Sequence, residues 1–183
     1  MLRFLGLCGS LRRVSSNLEL LRAAQRLTPS GVELRIAAPL DRLPHFNPDI
    51  DVPPVPAAVE LWRAEIAAAD AVLICSPEYA FGVPGVLKNA LDWLVPSGEL
   101  YEKAVGVITA SPNHGGAAQA QRHLQDTLRA QQALLVQGAS VALPFVRARL
   151  DASGALTDAE ASGILRGGLE ALATAVRAPA TAP

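Results

Sequence analysis

Short apolar runs alternate with amphipathic stretches along the whole chain. The runs are almost continuously apolar or alternate with period two, which is typical of strands. They are residues 3–8, 32–37, 71–75 and 103–110, with a fifth strand supplied by 133–136 and 140–143. The stretches between them have helical propensity or an apolar stripe at helical spacing. They are residues 18–24, 57–69, 86–94 and 117–132, and a last helix that starts near the capping sequence at 157–160.

Five strands that alternate with helices predict right-handed crossovers and one parallel sheet. The expected fold class is α/β, a flavodoxin-like doubly wound sheet of five parallel strands in the order 2-1-3-4-5, with helices on both faces. Ligands of such sheets bind at the carboxyl edge where the strand order reverses, here between strands one and three. We predict one domain over residues 1–177 and, because its composition is Ala/Pro/Thr-rich, a disordered tail at 178–183.

The loop after the first strand is small, hydroxyl-rich and basic. It lies directly before a helix, so backbone N–H groups and the positive end of the helix dipole face into it, as at phosphate sites. Its candidate contacts are Ser10, Arg12, Ser15, Ser16 and Asn17. The alternative is that Ser15, Ser16 or Asn17 only caps the helix and that the arginine is solvated. The segment is neither a Walker loop nor a dinucleotide fingerprint, and both interpretations stay open.

Composition narrows the classes of function. Half of the 183 residues are hydrophobic, 18% are charged, and the net charge is -1. Disorder is excluded, and neither a basic footprint for nucleic acid nor a polybasic patch for a membrane is present. Cys8 and Cys75 both end apolar runs, so we expect small core residues rather than a disulfide or a zinc site. Since no run resembles a signal peptide or a membrane span, we expect a cytoplasmic protein.

Two further loops, rich in proline and small residues, follow the third and fourth strands and would lie at the same sheet edge. With the first loop they carry three motifs: Gly9-Ser10-Leu11-Arg12-x-x-Ser15-x-Asn17, Ser76-Pro77-Glu78-Tyr79-x-x-x-Val83-Pro84-Gly85-Val86-Leu87-Lys88-Asn89-Ala90-Leu91-Asp92-Trp93 and Ser111-x-x-x-Gly115-Gly116-Ala117. These motifs resemble those of the NADPH-dependent FMN reductases, which include flavodoxin-like quinone and chromate reductases. The resemblance extends over residues 3–175.

The resemblance implies an FMN site at these three loops. The first loop would hold the phosphate, the second the flavin ring, and the third would close over the ring edge. The implied cofactor contacts are Ser10, Arg12, Ser15, Ser16, Asn17, Pro77, Glu78, Tyr79, Ala80, Phe81, Gly82, Ser111, Gly115 and Gly116. NADPH or NADH would supply hydride, and a quinone, free flavin or similar small molecule would accept it. The flavin carries the chemistry, so we assign no catalytic residue and no metal.

Some expectations concern single residues and partners. Ala80 stands where the family usually has Asn, which removes a polar contact near the flavin or an adjoining subunit. Glu78 is expected to act through its backbone more than its carboxylate, and Tyr79 to contact either the flavin or a subunit interface. The resemblance implies a homodimer or homotetramer, and we hypothesise that Trp62 or Trp93 is buried between subunits.

Two rival functions stay open at this point. One is a flavodoxin-like electron carrier that docks on protein partners; such carriers are usually strongly acidic, and this chain is near neutral. The other is a flavin-free regulator, suggested by the alanine at position 80. Steady-state NADPH oxidation with a quinone separates the enzyme from the carrier, and flavin absorbance in the purified protein removes the regulator.

Overall fold

One parallel sheet forms the centre of the molecule, seen in a computed structural model that describes residues 1–178. Its strands are β1 (Leu2–Cys8), β2 (Val32–Ile36), β3 (Ala71–Ser76), β4 (Ala104–Ala110), β5 (Leu134–Leu135) and β6 (Val141–Leu143). They lie in the order β2-β1-β3-β4-β5, and β6 also pairs with β4. Every pair is parallel. The predicted flavodoxin-like fold with strand order 2-1-3-4-5 is therefore confirmed.

The fifth strand position is filled by two short strands. β5 pairs with the beginning of β4, at Ala104 and Val105, and β6 pairs with its end. Between them lies a 3-10 turn at Gln137–Ala139. A Cβ added at Gly106 would lie 2.8 Å from the Ala139 Cβ, so this turn packs directly on the β4 backbone. Glycine at this position of β4 therefore allows the edge strand to break without leaving the sheet.

Five α-helices within residues 1–178 cover the sheet. They are α1 (Ser16–Arg26), α2 (Ala57–Ala68), α3 (Gly85–Asp92), α4 (Ala118–Ala130) and α5 (Ala159–Arg177). α1 and α5 bury one face of the sheet, and α2, α3 and α4 bury the other. β3 is buried throughout, and its side chains alternate between the two cores. This is the pattern expected of a central parallel strand.

Both tryptophans are buried inside the chain itself. Trp93 is fully buried, and Trp62 is 5% exposed. Trp93 Nε1 donates to the Pro44 carbonyl at 2.8 Å, and Trp62 Nε1 donates to the Ala90 carbonyl at the same distance. The hypothesis that one of them is buried between subunits is therefore wrong, because neither side chain has appreciable surface left for an interface to cover.

The proline-rich segment 39–56 is ordered and lies against α3. The Asn89 side chain accepts from the Phe46 N–H at 2.7 Å and donates to the Pro44 carbonyl at 2.9 Å. Two single-turn 3-10 helices at 40–42 and 48–50 are its regular structure. The rest of the segment is irregular, because its prolines fix the backbone φ and remove hydrogen-bond donors. Of the predicted tail, residues 179–183 lie outside the described residues.

Candidate active site

The carboxyl ends of β1, β3 and β4 carry the three motif loops, and these loops enclose a cavity of about 230 Å³. Parallel strands end at the same edge, so the loops converge although they are up to a hundred residues apart in sequence. The predicted residues that line the cavity are Ser10, Arg12, Ser15, Ser16, Asn17, Pro77, Glu78, Tyr79 and Ser111. Those that do not line it are Ala80, Phe81, Gly82, Gly115 and Gly116.

The first loop is tied to the sheet at its start and to α1 at its end. The Gly9 N–H donates to the Cys75 carbonyl at 2.8 Å. A Cβ at Gly9 would come within 2.7 Å of the Ser76 hydroxyl, so only glycine fits this close passage. At the other end Ser15 caps α1, its hydroxyl accepting from the Leu18 N–H at 3.4 Å. The capping interpretation is correct, and the same loop still lines the cavity.

Asn17 provides the observation that points to a ligand. It lies in the first turn of α1, lines the cavity and is 5% exposed. Its amide nitrogen makes one long contact, 3.5 Å to the Ala110 carbonyl. Its Oδ1 is buried and has no hydrogen-bond partner among the described residues. An unpaired buried oxygen costs about 1–3 kcal/mol, and a ligand hydroxyl would remove that cost. A phosphorylated polyol, as in the ribityl phosphate of FMN, fits this site.

Positive charge enters the cavity from two segments. Arg12 comes from the first loop, and Arg147 comes from a 3-10 turn at Val146–Arg149 that follows β6. Both side chains are exposed, and neither forms an ion pair within the part of the chain that the structure describes. Free guanidinium groups beside a helix N-terminus suit a phosphate dianion.

Arg147 is one of five lining residues that the sequence analysis missed. The others are Ala110, Pro112, Asn113 and Val146. Three of the five belong to the β4 end and third loop, where only Ser111 and the two glycines were chosen. The segment after the fifth strand carried no motif. The available signal was its position, because that strand also ends at the carboxyl edge of the sheet.

The second loop makes a tight turn between Tyr79 and Gly82, whose backbones exchange two hydrogen bonds of 2.9 and 3.1 Å. The two residues at its tip, Ala80 and Phe81, have φ angles of 48° and 60°. Both are left-handed, as in a type I′ turn, which favours Asn followed by Gly. The asparagine expected at position 80 would suit this backbone, which is a conformational reason for it besides ligand contact. Tyr79 lines the cavity and is 49% exposed.

Glu78 connects the second loop to the third. Its Oε2 accepts from the Ala120 N–H at 2.9 Å, in the first turn of α4. α4 has no side-chain cap of its own, since the residue at that position is Ala117 in the left-handed conformation. A carboxylate at a helix N-terminus is favoured by the helix dipole. The structure thus gives the carboxylate a role that was not expected of it, which is to cap a helix from a neighbouring loop.

The glycines of the third loop serve its packing. A Cβ at Gly116, whose φ is 56°, would lie 3.0 Å from backbone atoms of Ala142 and Pro144. Its carbonyl accepts from the buried Thr109 hydroxyl at 3.1 Å. Gly115 faces open space, with no atom within 4 Å of an added Cβ. The part of this loop that reaches the cavity is its first half, where the Ser111 hydroxyl accepts from the Asn113 N–H at 3.1 Å.

The two cysteines are opposite each other on β1 and β3, and both thiols are free. Burial raises the pKa of the Cys8 thiol and raises that of Cys75 well above its usual value. Such thiols stay protonated. Cys75 is a core residue, as predicted, and Cys8 is partly buried and packs against the same core. Within residues 1–178 no group of three or more metal-ligating side chains comes together. In the same range no helix is long and apolar enough to cross a membrane.

Comparison with known proteins identifies the family. The family model for NADPH-dependent FMN reductases matches residues 2–148, which include all three loops. The chain belongs to the NADPH-dependent FMN reductase family. Membership makes it a flavin-dependent oxidoreductase whose cofactors are FMN and NAD(P)H.

Individual relatives agree with this assignment over most of their length. The chain is 35% identical to an NAD(P)H-dependent FMN reductase of Pseudomonas aeruginosa over 178 residues, covering 96% of each protein. It is 36% identical to a quinone reductase of Escherichia coli over 130 residues, covering 69% of each. Among solved structures, a flavoenzyme NAD(P)H:(acceptor) oxidoreductase from Paracoccus denitrificans superposes with a TM-score of 0.84 at 30% identity, covering 96% of this chain and 97% of that one.

Proposed function

We propose that this reductase transfers hydride from NAD(P)H through FMN to a quinone or a similar small, flat acceptor. The observation that supports it most is the cavity where Arg12, the α1 N-terminus and the unpaired oxygen of Asn17 converge. Curated relatives named quinone reductases support a quinone as the acceptor class.

Each part of the cavity has a role in this proposal. The first loop and Arg12 hold the phosphate, the loop through backbone N–H groups and Arg12 through its guanidinium group. Asn17 accepts a hydrogen bond from a ribityl hydroxyl. Pro77 and Tyr79 lie beside the ring and keep one side of it dry. Bound FMN supplies the acceptance and release of hydride, so no side chain of the protein has to act as an acid or base.

The cavity mouth suits an acceptor that binds by stacking. Tyr79 and Phe81 are 49% and 74% exposed, and both stand on the turn of the second loop. A flat ring can approach such a surface without a polar pocket that would select one substitution pattern. Free flavin, metal oxyanions and azo compounds are alternative acceptors to quinones. Turnover rates measured for each acceptor with NADPH and with NADH rank them.

Flavin binding is tested by titrating apoprotein with FMN. Arg12→Ala should weaken FMN by about 1.5–3 kcal/mol, roughly ten- to 150-fold, because it removes a charge-assisted hydrogen bond to phosphate. Arg13→Ala is the matched control, since Arg13 is exposed and lies outside the cavity lining. Equal affinities in the two variants would exclude Arg12 from the phosphate site.

Turnover separates the enzyme from its rivals. A reductase oxidises NADPH with a quinone faster than the same concentration of free FMN, whereas an electron carrier does not exceed free FMN. A colourless protein that gains no flavin on titration would support the flavin-free regulator. The Ala80 argument for that regulator is weaker in the structure, because Ala80 does not line the cavity.

Assembly and location complete the proposal. We infer a homodimer or homotetramer whose interface includes the exposed Leu11 of the first loop, while Tyr79 and Phe81 stay open to the acceptor. Light scattering after gel filtration measures the mass of the assembly, and a monomer at micromolar concentration would contradict this proposal.

The two free thiols fit a reducing compartment, so we propose a cytoplasmic location, which cell fractionation tests.

A further inference from the structure

A second cavity, of about 290 Å³, adjoins the flavin cavity on the outer side of the phosphate loop. The two share Arg12, Ser15, Ser16 and Arg147 as a common wall. Its far side is formed by Glu19 of α1 and by the loop that includes Asp151. Its volume is near the lower end for ligand pockets, roughly 300–1,000 Å³, which suits one nucleoside.

The charges of the second cavity are separated. Its two arginines stand at the common wall, and its two carboxylates stand away from the flavin cavity. Glu19 binds Arg22 through Oε1, and Asp151 accepts from Ser153 and Ala155 through Oδ1. The other oxygen of each carboxylate makes no hydrogen bond to a described residue. A complementary ligand is anionic at the wall and donates hydroxyl groups farther out.

A phosphate group alone does not match the whole pattern, because it would bind the two arginines and leave Glu19 and Asp151 without a hydrogen-bond donor from the ligand. A nucleotide linked through its 5′-phosphate does match. Its phosphate lies between the guanidinium groups, and its ribose diol donates to carboxylates, as ribose hydroxyls do in dinucleotide sites. Because Arg12, Ser15, Ser16 and Arg147 line both cavities, a single ligand that extends past these residues would reach both spaces.

We propose that the two cavities together accept flavin adenine dinucleotide as well as FMN. The FMN half occupies the first cavity, the second phosphate passes between Arg12 and Arg147, and the adenosine lies against Glu19 and Asp151. This inference rests on the proposed flavin site. It adds an adenosine subsite that FMN leaves unused and gives Arg147 a role in recognising the longer cofactor.

Calorimetric titration of apoprotein with FMN and with FAD tests the inference. Ala152 is exposed and lines only the second cavity, so Ala152→Trp should block the adenosine. We expect this variant to bind FAD at least tenfold more weakly and FMN within twofold of wild type. Arg147→Ala should raise the ratio of the FAD to the FMN dissociation constant at least tenfold. Arg166→Ala, an exposed arginine on α5, is the control that should leave the ratio unchanged.

The outcomes separate this inference from the function on which it rests. If neither flavin binds, the proposed function fails and this inference fails with it. If FMN binds and FAD is more than tenfold weaker, the function stands and the adenosine subsite is excluded. Equal losses of both flavins in Ala152→Trp would also overturn it. So would an Arg147→Ala variant that raises the KM for NADPH and leaves FAD binding unchanged, since Arg147 would then belong to the pyridine nucleotide.

Discussion

The contact between Glu78 and the Ala120 N–H should couple the two loops on either side of the flavin cavity. Glu78→Ala leaves α4 without any side-chain cap, and loss of a cap costs about 0.5–2 kcal/mol. Charge at a helix N-terminus adds about 0.3–1 kcal/mol. Glu78 is partly exposed, which reduces the electrostatic share. We therefore expect Glu78→Ala to lower the free energy of unfolding by about 1–2 kcal/mol. Glu78→Gln keeps a hydrogen-bond acceptor and should lower it by about 0.3–1 kcal/mol.

Thermal and urea unfolding of the apoprotein measure these losses. For a domain of this size, 1 kcal/mol corresponds to about 2–4 °C in Tm, so the alanine variant should melt about 2–8 °C below wild type. Glu170→Ala is the matched control, since this exposed carboxylate on α5 forms no ion pair with any residue of the range 1–178. If Glu78→Ala has the same Tm as the wild type and binds FMN with the same affinity, the coupling between the second and third loops is refuted.

Three further variants test the fold around the site. Arg63 lowers the pKa of Asp51 by a hydrogen bond to its carboxylate. The pair therefore stabilises the fold fully at pH values above the unfolded-state pKa of about 3.9, and this stabilisation is lost as the pH falls through the lower pKa of the folded state. Asp51→Asn should lack this part of the acid dependence of stability. Ala80→Asn should stabilise the protein by about 0.5–1 kcal/mol, because asparagine tolerates left-handed backbone. Gly106→Ala should cost about 1–3 kcal/mol, because its Cβ would overlap the turn after β5.

Each of these variants has a control, and urea unfolding is the common assay. Asp49→Asn should leave the acid dependence unchanged, since that exposed carboxylate has no ion pair in the described chain. Ala80→Val should destabilise the turn, and equal effects of Val and Asn would contradict the conformational argument. An added Cβ at Gly163 in α5 would meet open space, so Gly163→Ala should stabilise the protein. If it lowers stability as much as Gly106→Ala does, the overlap with the turn after β5 does not explain the effect at Gly106.

Local patterns predicted most of the sheet and the outline of the site. A run such as 71–75 has few alternatives to a buried parallel strand, and Asp158 caps α5 as its sequence context indicated. Glycine-rich and proline-rich loops after such strands fall at one edge by topology, which is why the first three loops were found. The departures concern contacts between distant segments. The break between β5 and β6 depends on Gly106 meeting a turn some thirty residues later.

The same reason explains what was missed at the site. Arg147 carries no local signal, and its place beside Arg12 arises only when β6 pairs with β4. The carboxylate of Glu78 finds its partner in a helix 42 residues away, which no spacing rule relates to it. The hypothesis of a tryptophan between subunits was open because an apolar helix face can cover a subunit or a core. Trp62 is internal because α2 packs on α3, and Trp93 because the segment 39–56 packs on the end of α3.

The sharing of one core by α1 and α5 has a consequence for synthesis in the cell. The apolar side of α1 packs against the last helix, with Leu20 and Leu21 in the same cluster as Leu165, Leu169 and Leu172. The ribosome makes the phosphate loop long before it makes α5, the helix on which α1 rests. The loop is therefore not expected to become rigid before α5 has been made. Chains truncated before α5 should bind no flavin.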